Sequence, residues 1–401
     1  MNEIFGYWLW ILFPLFFALG WIAARVDMKQ VVNESSSLPR SYFQGLNFLL
    51  NEQSDKAIDS FLEVAKIDSQ TVELHFALGN LFRRRGETNR AIRMHQNLIE
   101  RDDLEQNVRL NALLELGQDF LTAGLLDRAE KIFQKLLNTN LDEKARQFLL
   151  SIYQSAKEWQ KAIEMAQQMP DMTTQTEIAQ YYCEIAEQML MKSQLGDDLA
   201  KTLDLAILHN RQCVRATILR GDLYFRQNQI EKAIECRQKV ELQNPIYLSL
   251  VAVKLNNAYN ILGQNSIAVE LLKNYLHRYS SLDILEAIIQ SILQQNSHEN
   301  YINIFRQIHD LIRMELDKNP SLLGLEKLFS VTLNDTENIN TNSRGDIEIA
   351  KAIIQNYTRR LSRYRCLHCG FKARQFYWRC PACGKWETMP PRRTEEIDQN
   401  F

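Results

Sequence analysis

The stretch Gly79-Asn-Leu-Phe82-Arg-Arg-Arg-Gly86-Glu-Thr-Asn-Arg-Ala91 decides the fold of this chain, because its marked positions recur elsewhere at the same offsets. Gly45 lies 34 residues before Gly79, and each glycine is followed twelve positions later by an alanine, Ala57 and Ala91. The same spacing links Gly117 to Ala129 and Gly221 to Ala233, while Leu150 with Ala162 and Asn256 with Ala268 keep the alanine alone. An aromatic stands three residues past each opening position, at Phe48, Phe82, Phe120, Tyr153, Tyr224 and Tyr259. Such a period is the signature of tetratricopeptide repeats, each a pair of antiparallel helices.

Packing gives each position a reason. The glycine of helix A and the alanine of helix B are expected to meet where the two helices approach most closely. Four residues past the alanine, Phe61, Phe133 and Leu272 suit an interhelical core, whereas His95, Ala166 and Arg237 depart from that pattern. Gly86, Gly124 and Gly263 fall five residues before the alanine, where helix A should end in a left-handed cap. Pro245 is expected to stop a helix. From about Asp171 to Asn210, and from Ser281 to Pro320, apolar residues keep helical spacing without the glycine and alanine marks, so degenerate helix pairs should continue the stack. The polar run Asn334 to Asp346 reads as a loop, and a last helix is expected over about Ile347 to Leu361.

The two ends differ from this middle. Ile4 to Ala24 carries no charge and has the length of a bilayer-crossing helix, with Trp8, Trp10 and Trp21 toward its ends. The first cations, Arg25, Lys29 and Arg40, follow the span, which predicts a single-pass anchor with the bulk of the chain cytoplasmic. A secretory signal would instead begin with positive charge and end at a small-residue cleavage site. At the carboxyl end stand Cys366-Leu-His-Cys369-Gly370 and Cys380-Pro-Ala-Cys383-Gly384. Two such pairs present four soft thiolates to one tetrahedral ion, zinc or iron, in a rubredoxin-like knuckle or zinc ribbon. With every position filled by sulfur, that metal should be structural. His368, inside the first pair, reads as a solvent-facing turn residue, and Cys183, Cys213 and Cys236, scattered through helical sequence, as small buried apolar groups.

The expected architecture is therefore all-α, a tetratricopeptide solenoid with an N-terminal transmembrane helix and a small C-terminal metal domain. Its bounds are an anchor at 1–25, a juxtamembrane linker at 26–40 and the solenoid at 41–333. A loop and connecting helix follow at 334–361, then the four-cysteine domain at 362–390 and a tail at 391–401. A solenoid offers a concave surface lined by helix A. Positions one and four past the helix A glycine face it, which makes Asn80, Arg83, Gln118, Leu121, Asp222 and Phe225 candidate partner contacts. The run Arg83-Arg84-Arg85 suits an acidic partner, or simply a helix end with cations near its C-terminus.

Around the cysteines the charge is lopsided. Arg359, Arg360, Arg363, Arg365, Lys372, Arg374, Arg379, Lys385, Arg392 and Arg393 face one acid, Glu387, with Tyr364, Phe371, Tyr377, Trp378 and Trp386 between them. Phosphate neutralisation and base stacking would use such a surface. A domain of this size also needs large side chains and a metal simply to assemble a core. The formal charge of the whole chain, -2, shows no bias toward polyanions. No glycine-rich phosphate loop, His-Glu-x-x-His or Gly-x-Ser-x-Gly elbow occurs, so no catalytic residue is assigned and a non-enzymatic role is expected.

Anchor, repeats and knuckles in this order resemble the lipopolysaccharide assembly protein B (LapB) family. The likeness includes Leu46-Asn-Phe-Leu-Leu-Asn-Glu-Gln53, Gly79-Asn-Leu-Phe82, Ala91-Ile-Arg93 and the segment from Tyr364 through Cys383. The resemblance implies an inner-membrane, cytoplasm-facing adaptor that regulates lipopolysaccharide production. Its implied partners are the membrane AAA protease FtsH, the lipid A pathway deacetylase LpxC, whose degradation it promotes, and the lipopolysaccharide transport machinery. It also implies metal binding at Cys366, Cys369, Cys380 and Cys383, and the knuckle domain is expected to dock on the repeats and fix their geometry. The contrasting reading is a membrane-anchored nucleic-acid-binding or general scaffold protein that uses the basic ribbon.

Overall fold

Helix B of each repeat lies on helix A through one contact that the sequence pattern placed a turn away. In the computed structural model an ideal Cβ on Gly117 would fall 2.6 Å from Phe133 Cε1, and one on Gly45 would fall 2.7 Å from Phe61 Cε1. The residue seated over the glycine is thus the one four positions beyond the alanine, not the alanine itself. Ala57, Ala91, Ala129, Ala162 and Ala233 are nonetheless fully buried, since helix B has no room there for a larger group.

Described residues are 21, 40–51, 53, 56–61, 72–170, 173–295, 301–334, 341–359 and 363–393. The expected anchor and linker lie outside them apart from Trp21 and Arg40, as do tail residues 394–401. Among the described residues no helix is long and apolar enough to cross a membrane.

The chain forms two compact units, one through Ile152 and one from Tyr153. The first contains α1 (Arg40–Leu50), a helical stretch at 56–61, α2 (Val72–Arg84), α3 (Thr88–Ile99), α4 (Gln106–Thr122) and α5 (Leu126–Lys135); α6 (Asp142–Ala156) runs across the boundary. The second contains α7 (Trp159–Gln167), α8 (Gln175–Met191), α9 (Asp197–His209), α10 (Val214–Arg226) and α11 (Ile230–Gln243). A 3-10 turn, Pro245–Tyr247, then leads into α12 (Leu248–Ile261) and α13 (Asn265–Arg278). There follow α14 (Leu282–Gln295), α15 (Tyr301–Lys318), α16 (Leu322–Asn334), α17 (Thr341–Thr358) and the strands β1 (Tyr364–Arg365) and β2 (Lys372–Ala373). Both units are built of tetratricopeptide-type helix pairs, and the second ends in a small C-terminal ribbon.

Two departures from the repeat pattern have a polar explanation. His95 sits over Gly79 and is fully buried, and its Nδ1 donates to Asp119 Oδ2 at 2.5 Å. Arg237 sits over Gly221, donating to Asp222 Oδ1 at 3.0 Å and to the Lys254 carbonyl at 2.8 Å. A carboxylate on another helix accepts from each side chain, at Asp119 and Asp222, which offsets part of the cost of burying it, while His95 Nε2 and Arg237 Nε keep no partner among the described residues. Turn geometry likewise outlasts its usual residue. Gly86, Gly124 and Gly263 have φ of 81°, 74° and 68°, and where glycine is missing Lys157 and Asn228 adopt 58° and 62°. Asparagine tolerates that region better than lysine does.

The degenerate stretches are helix pairs. Thr174 caps α8 with a reciprocal capping box to Glu177, and α8, α9 and α10 share a core that includes Ala179, Cys183, Leu199, Leu203, Ala216 and Leu219. In α14 and α15, Ile284, Leu285, Ile288, Ile308 and Ile312 are buried. Pro245 ends α11 as expected, with Asn244 Oδ1 accepting from the Ile246 N–H. The helix expected from about Ile347 begins earlier, at Thr341, and residues 335–340 of the expected loop lie outside the described residues. Arg344 pairs with Glu348 one turn on.

Candidate metal centre and its docking face

Two matching turns build the ribbon. Gly370 N–H donates to the Cys366 carbonyl and Gly384 N–H to the Cys380 carbonyl, both at 2.9 Å, and both glycines have positive φ. β1 and β2 pair antiparallel between the two halves of the first turn, with Tyr364 opposite Ala373 and Arg365 opposite Lys372. Arg379 and Trp386 form an isolated bridge across the second. The turns bring the Sγ atoms of Cys366, Cys369, Cys380 and Cys383 within 4.8 Å of one another. Cys366 and Cys383 sulfurs are 3.9 Å apart and Cys369 and Cys380 sulfurs 3.7 Å. A metal–sulfur bond of about 2.3 Å in a tetrahedron requires sulfurs about 3.8 Å apart, far beyond the ~2.05 Å of a disulfide.

The donor set therefore fits one structural metal ion, zinc or iron, and no coordination position is left for chemistry. Thr388 Oγ1 lies 3.3 Å from Cys366 Sγ. Burial raises the Cys366 pKa, but the Thr388 hydroxyl and the N–H groups of Cys369 and His368 outweigh it and bring the thiol down to about 6, favouring the thiolate that a metal needs. His368 is exposed and outside this sulfur cluster.

The aromatic residues divide between two tasks. Tyr364, Phe371 and Tyr377 pack around the small core of Cys366, Ala373, Cys380 and Met389. Trp378 and Trp386, expected to serve that same core, instead reach the helices, as does Phe376. Trp378 stacks on Tyr247 at 5.1 Å, and Trp386 meets Trp159 and Tyr181 edge-on at 6.0 Å. Between the two indoles lies the guanidinium of Arg215, 5.6 Å from one ring and 5.9 Å from the other. Arg215 is 3% exposed and pairs with Glu184 at 2.8 Å and with Glu187. A cation this deep is tolerable only because carboxylates and ring faces replace its water.

Hydrogen bonds complete the seam. Arg379 donates to the Gln154 side-chain oxygen at 2.8 Å, and Gln180 Nε2 donates to Glu387 Oε1 at 2.7 Å. Ser249 Oγ donates to the Pro391 carbonyl, and Arg393, 6% exposed, pairs with Asp283 at 2.6 Å. Glu387 is exposed as a residue, yet its carboxyl reaches inward. Desolvation there pushes its pKa above the ordinary carboxylate range, against the opposing pull of Arg215 and Gln180.

A rubredoxin metal binding domain model matches residues 364–391, and a tetratricopeptide repeat model matches residues 74–107. Lipopolysaccharide assembly protein B of Escherichia coli (strain K12) is 34% identical over 393 residues, covering 96% of this chain and 98% of that protein. The protein of the same name from Haemophilus influenzae (strain ATCC 51907 / DSM 11121 / KW20 / Rd) is 30% identical, covering 97% and 98%. The chain belongs to the lipopolysaccharide assembly protein B family.

In this member of the family the six candidate groove residues have different fates. Arg83 turns into an ion network, donating to Asn80 Oδ1 at 2.6 Å, Glu115 Oε2 at 2.5 Å and Asp119 Oδ1 at 2.8 Å. Asn80 and Arg83 are therefore bound up in the network that holds His95, while Arg84 is exposed and Arg85 pairs with Glu87. Gln118 and Leu121 are half-buried on α4. Asp222 and Phe225 come together on the lining of one cavity. The docking residues Gln154, Gln180, Arg215 and Tyr247 had no signal in the sequence, since each sits in an ordinary helical stretch far from the cysteines. Gln180, Arg215 and Tyr247 are polar or aromatic residues at buried positions, and Gln154 is half-buried. Cys183 and Cys213 are fully buried, but their sulfurs meet at 3.7 Å and Gln180 Nε2 reaches the second at 3.8 Å. Burial pushes the Cys183 thiol up, whereas the contact with Cys183 lowers that of Cys213.

Proposed function

We propose that this chain is a membrane-anchored, cytoplasm-facing adaptor in lipopolysaccharide assembly that promotes FtsH-dependent degradation of LpxC. What supports this most is likeness along nearly the whole chain to proteins named for lipopolysaccharide assembly. In this reading residues 1–25 hold the protein in the inner membrane beside the protease, which raises effective concentration without new contacts. The solenoid, 41–333, holds protein partners, with Gln118, Leu121, Asp222 and Phe225 among the contacts and Asn80 and Arg83 shaping them. The thiolates of Cys366, Cys369, Cys380 and Cys383 hold the metal. The ribbon clamps helices from Gln154 to Asp283, so the metal stabilises the shape of the partner-holding surface at a distance.

The rival use of the ribbon, stacking bases on its aromatics, is disfavoured by their placement. Trp378 and Trp386 lie against Tyr247, Trp159 and Tyr181. The deciding experiment measures LpxC half-life in cells that depend on this chain. Cys366→Ser should lengthen it and raise LpxC levels; unchanged turnover would sink the proposal. Salt-sensitive binding of RNA to the purified chain at low ionic strength would favour the rival.

A further inference from the structure

Outside the metal centre, a cavity of about 340 Å³ opens among α8, α10, α11 and α12. Its lining carries three cations, Arg226, Arg237 and Lys254, against two carboxylates, Glu187 and Asp222. Glu187 is engaged by Arg215, so Asp222 is left to answer both Arg237, at 3.0 Å, and Lys254. Arg226 donates to the Leu190 carbonyl and has no carboxylate partner among the described residues. Arg237 is 2% exposed, and its Nε finds no hydrogen-bond partner among those residues. Apolar surface adjoins the cations. The Arg237 guanidinium lies 5.0 Å from the Phe225 ring, and Met191 on the rim is 75% exposed.

We infer that this cavity receives a carboxylate of an extended partner peptide, with a neighbouring apolar side chain of that peptide against Phe225 and Met191. The cation surplus selects an acid and disfavours a basic peptide, since a like charge entering here would stay unpaired. Lys254, half-buried and on a flexible stem, can swing from Asp222 to an incoming carboxylate. The inference rests on the adaptor reading, because it names the chemistry of the partner that the solenoid would hold.

The test uses the purified full chain in detergent on an array of synthetic peptides in which Glu, Gln, Lys and Leu are permuted. Retained peptides should carry Glu beside Leu, and replacing that Glu by Gln should weaken binding about tenfold or more. The double variant Arg226→Gln, Lys254→Gln should lose the preference with an unchanged thermal melt, while Lys254→Arg should keep it. No retention, indifference to the Glu→Gln change, a preference for Lys, or a preference that survives the double variant would overturn the inference. A chain that fails to control LpxC yet still selects acidic peptides would uphold the cavity and overturn the adaptor reading.

Discussion

The repeats and the ribbon solve the same problem, holding a small unit together, by opposite means. A helix pair such as α4–α5 does so with apolar volume, Phe133 lying against Gly117 and stacking on Phe148 at 4.8 Å. The ribbon has two strands of two residues and a core of a few side chains, so packing alone cannot hold it. Its order comes from sulfurs converging on one ion and from cations and indoles pressed on helices. Regular packing tolerates a changed residue when a partner compensates, as His95 and Asp119 show. A stapled domain has no such slack, and everything it does depends on a few atoms.

That contrast can be broken most severely at the metal. Cys380→Ser should abolish stoichiometric metal by elemental analysis and unfold the ribbon, because structural zinc contributes on the order of 10 kcal/mol to comparable small domains. Helical circular dichroism should largely persist, since the repeats bury their own cores. A loss of helix in proportion would mean that the two regions do not stand apart as argued. Next comes the seam. Arg215→Ala leaves Glu184 and Glu187 without their buried partner and should cost about 3–5 kcal/mol in denaturant unfolding, whereas Arg215→Met should cost less. Equal costs would show that the charge is irrelevant and only the volume counts.

Within the repeats the expected effect is smaller. Gly117→Ala drives a methyl group into Phe133 and should cost about 1–3 kcal/mol of thermal stability. The same change at Gly221 should cost less, because the nearest atom there is the Arg237 stem at 3.1 Å rather than a ring. The smallest effect is expected at Glu387. A carboxyl with a folded pKa above its unfolded value holds its proton more tightly when folded, so it stabilises at low pH and loses that contribution as pH rises from its ordinary value, 4.5, through the raised one. Glu387→Gln keeps an acceptor for Gln180 and should flatten the stability profile over that window. A profile identical to that of the parent chain would show that desolvation of Glu387 is unimportant to docking.

Much of this organisation was legible because both regions announce themselves locally. Glycine, alanine and turn residues recur at fixed offsets, and each reflects a contact within one helix pair. Four cysteines in two short turns are similarly local, since ligand spacing along the chain sets spacing in space. The polar departures at His95 and Arg237 were visible as exceptions only. Their reason lay at Asp119 and Asp222, on other helices. The groove candidates show the same limit, because Arg83 sits at a groove position by spacing but is drawn inward by Glu115 and Asp119.

Sequence alone thus determined the repeat architecture, the helix pairs and the identity of the sulfur cluster, all consequences of interactions between residues near in the chain. Tertiary structure decided where the ribbon rests, which aromatics cover it and which cations are spent on partners. Those outcomes turn on pairs such as Gln180 with Glu387 and Trp378 with Tyr247, joined across long separations. No local periodicity encodes them, because they arise from the stacking of whole helix pairs.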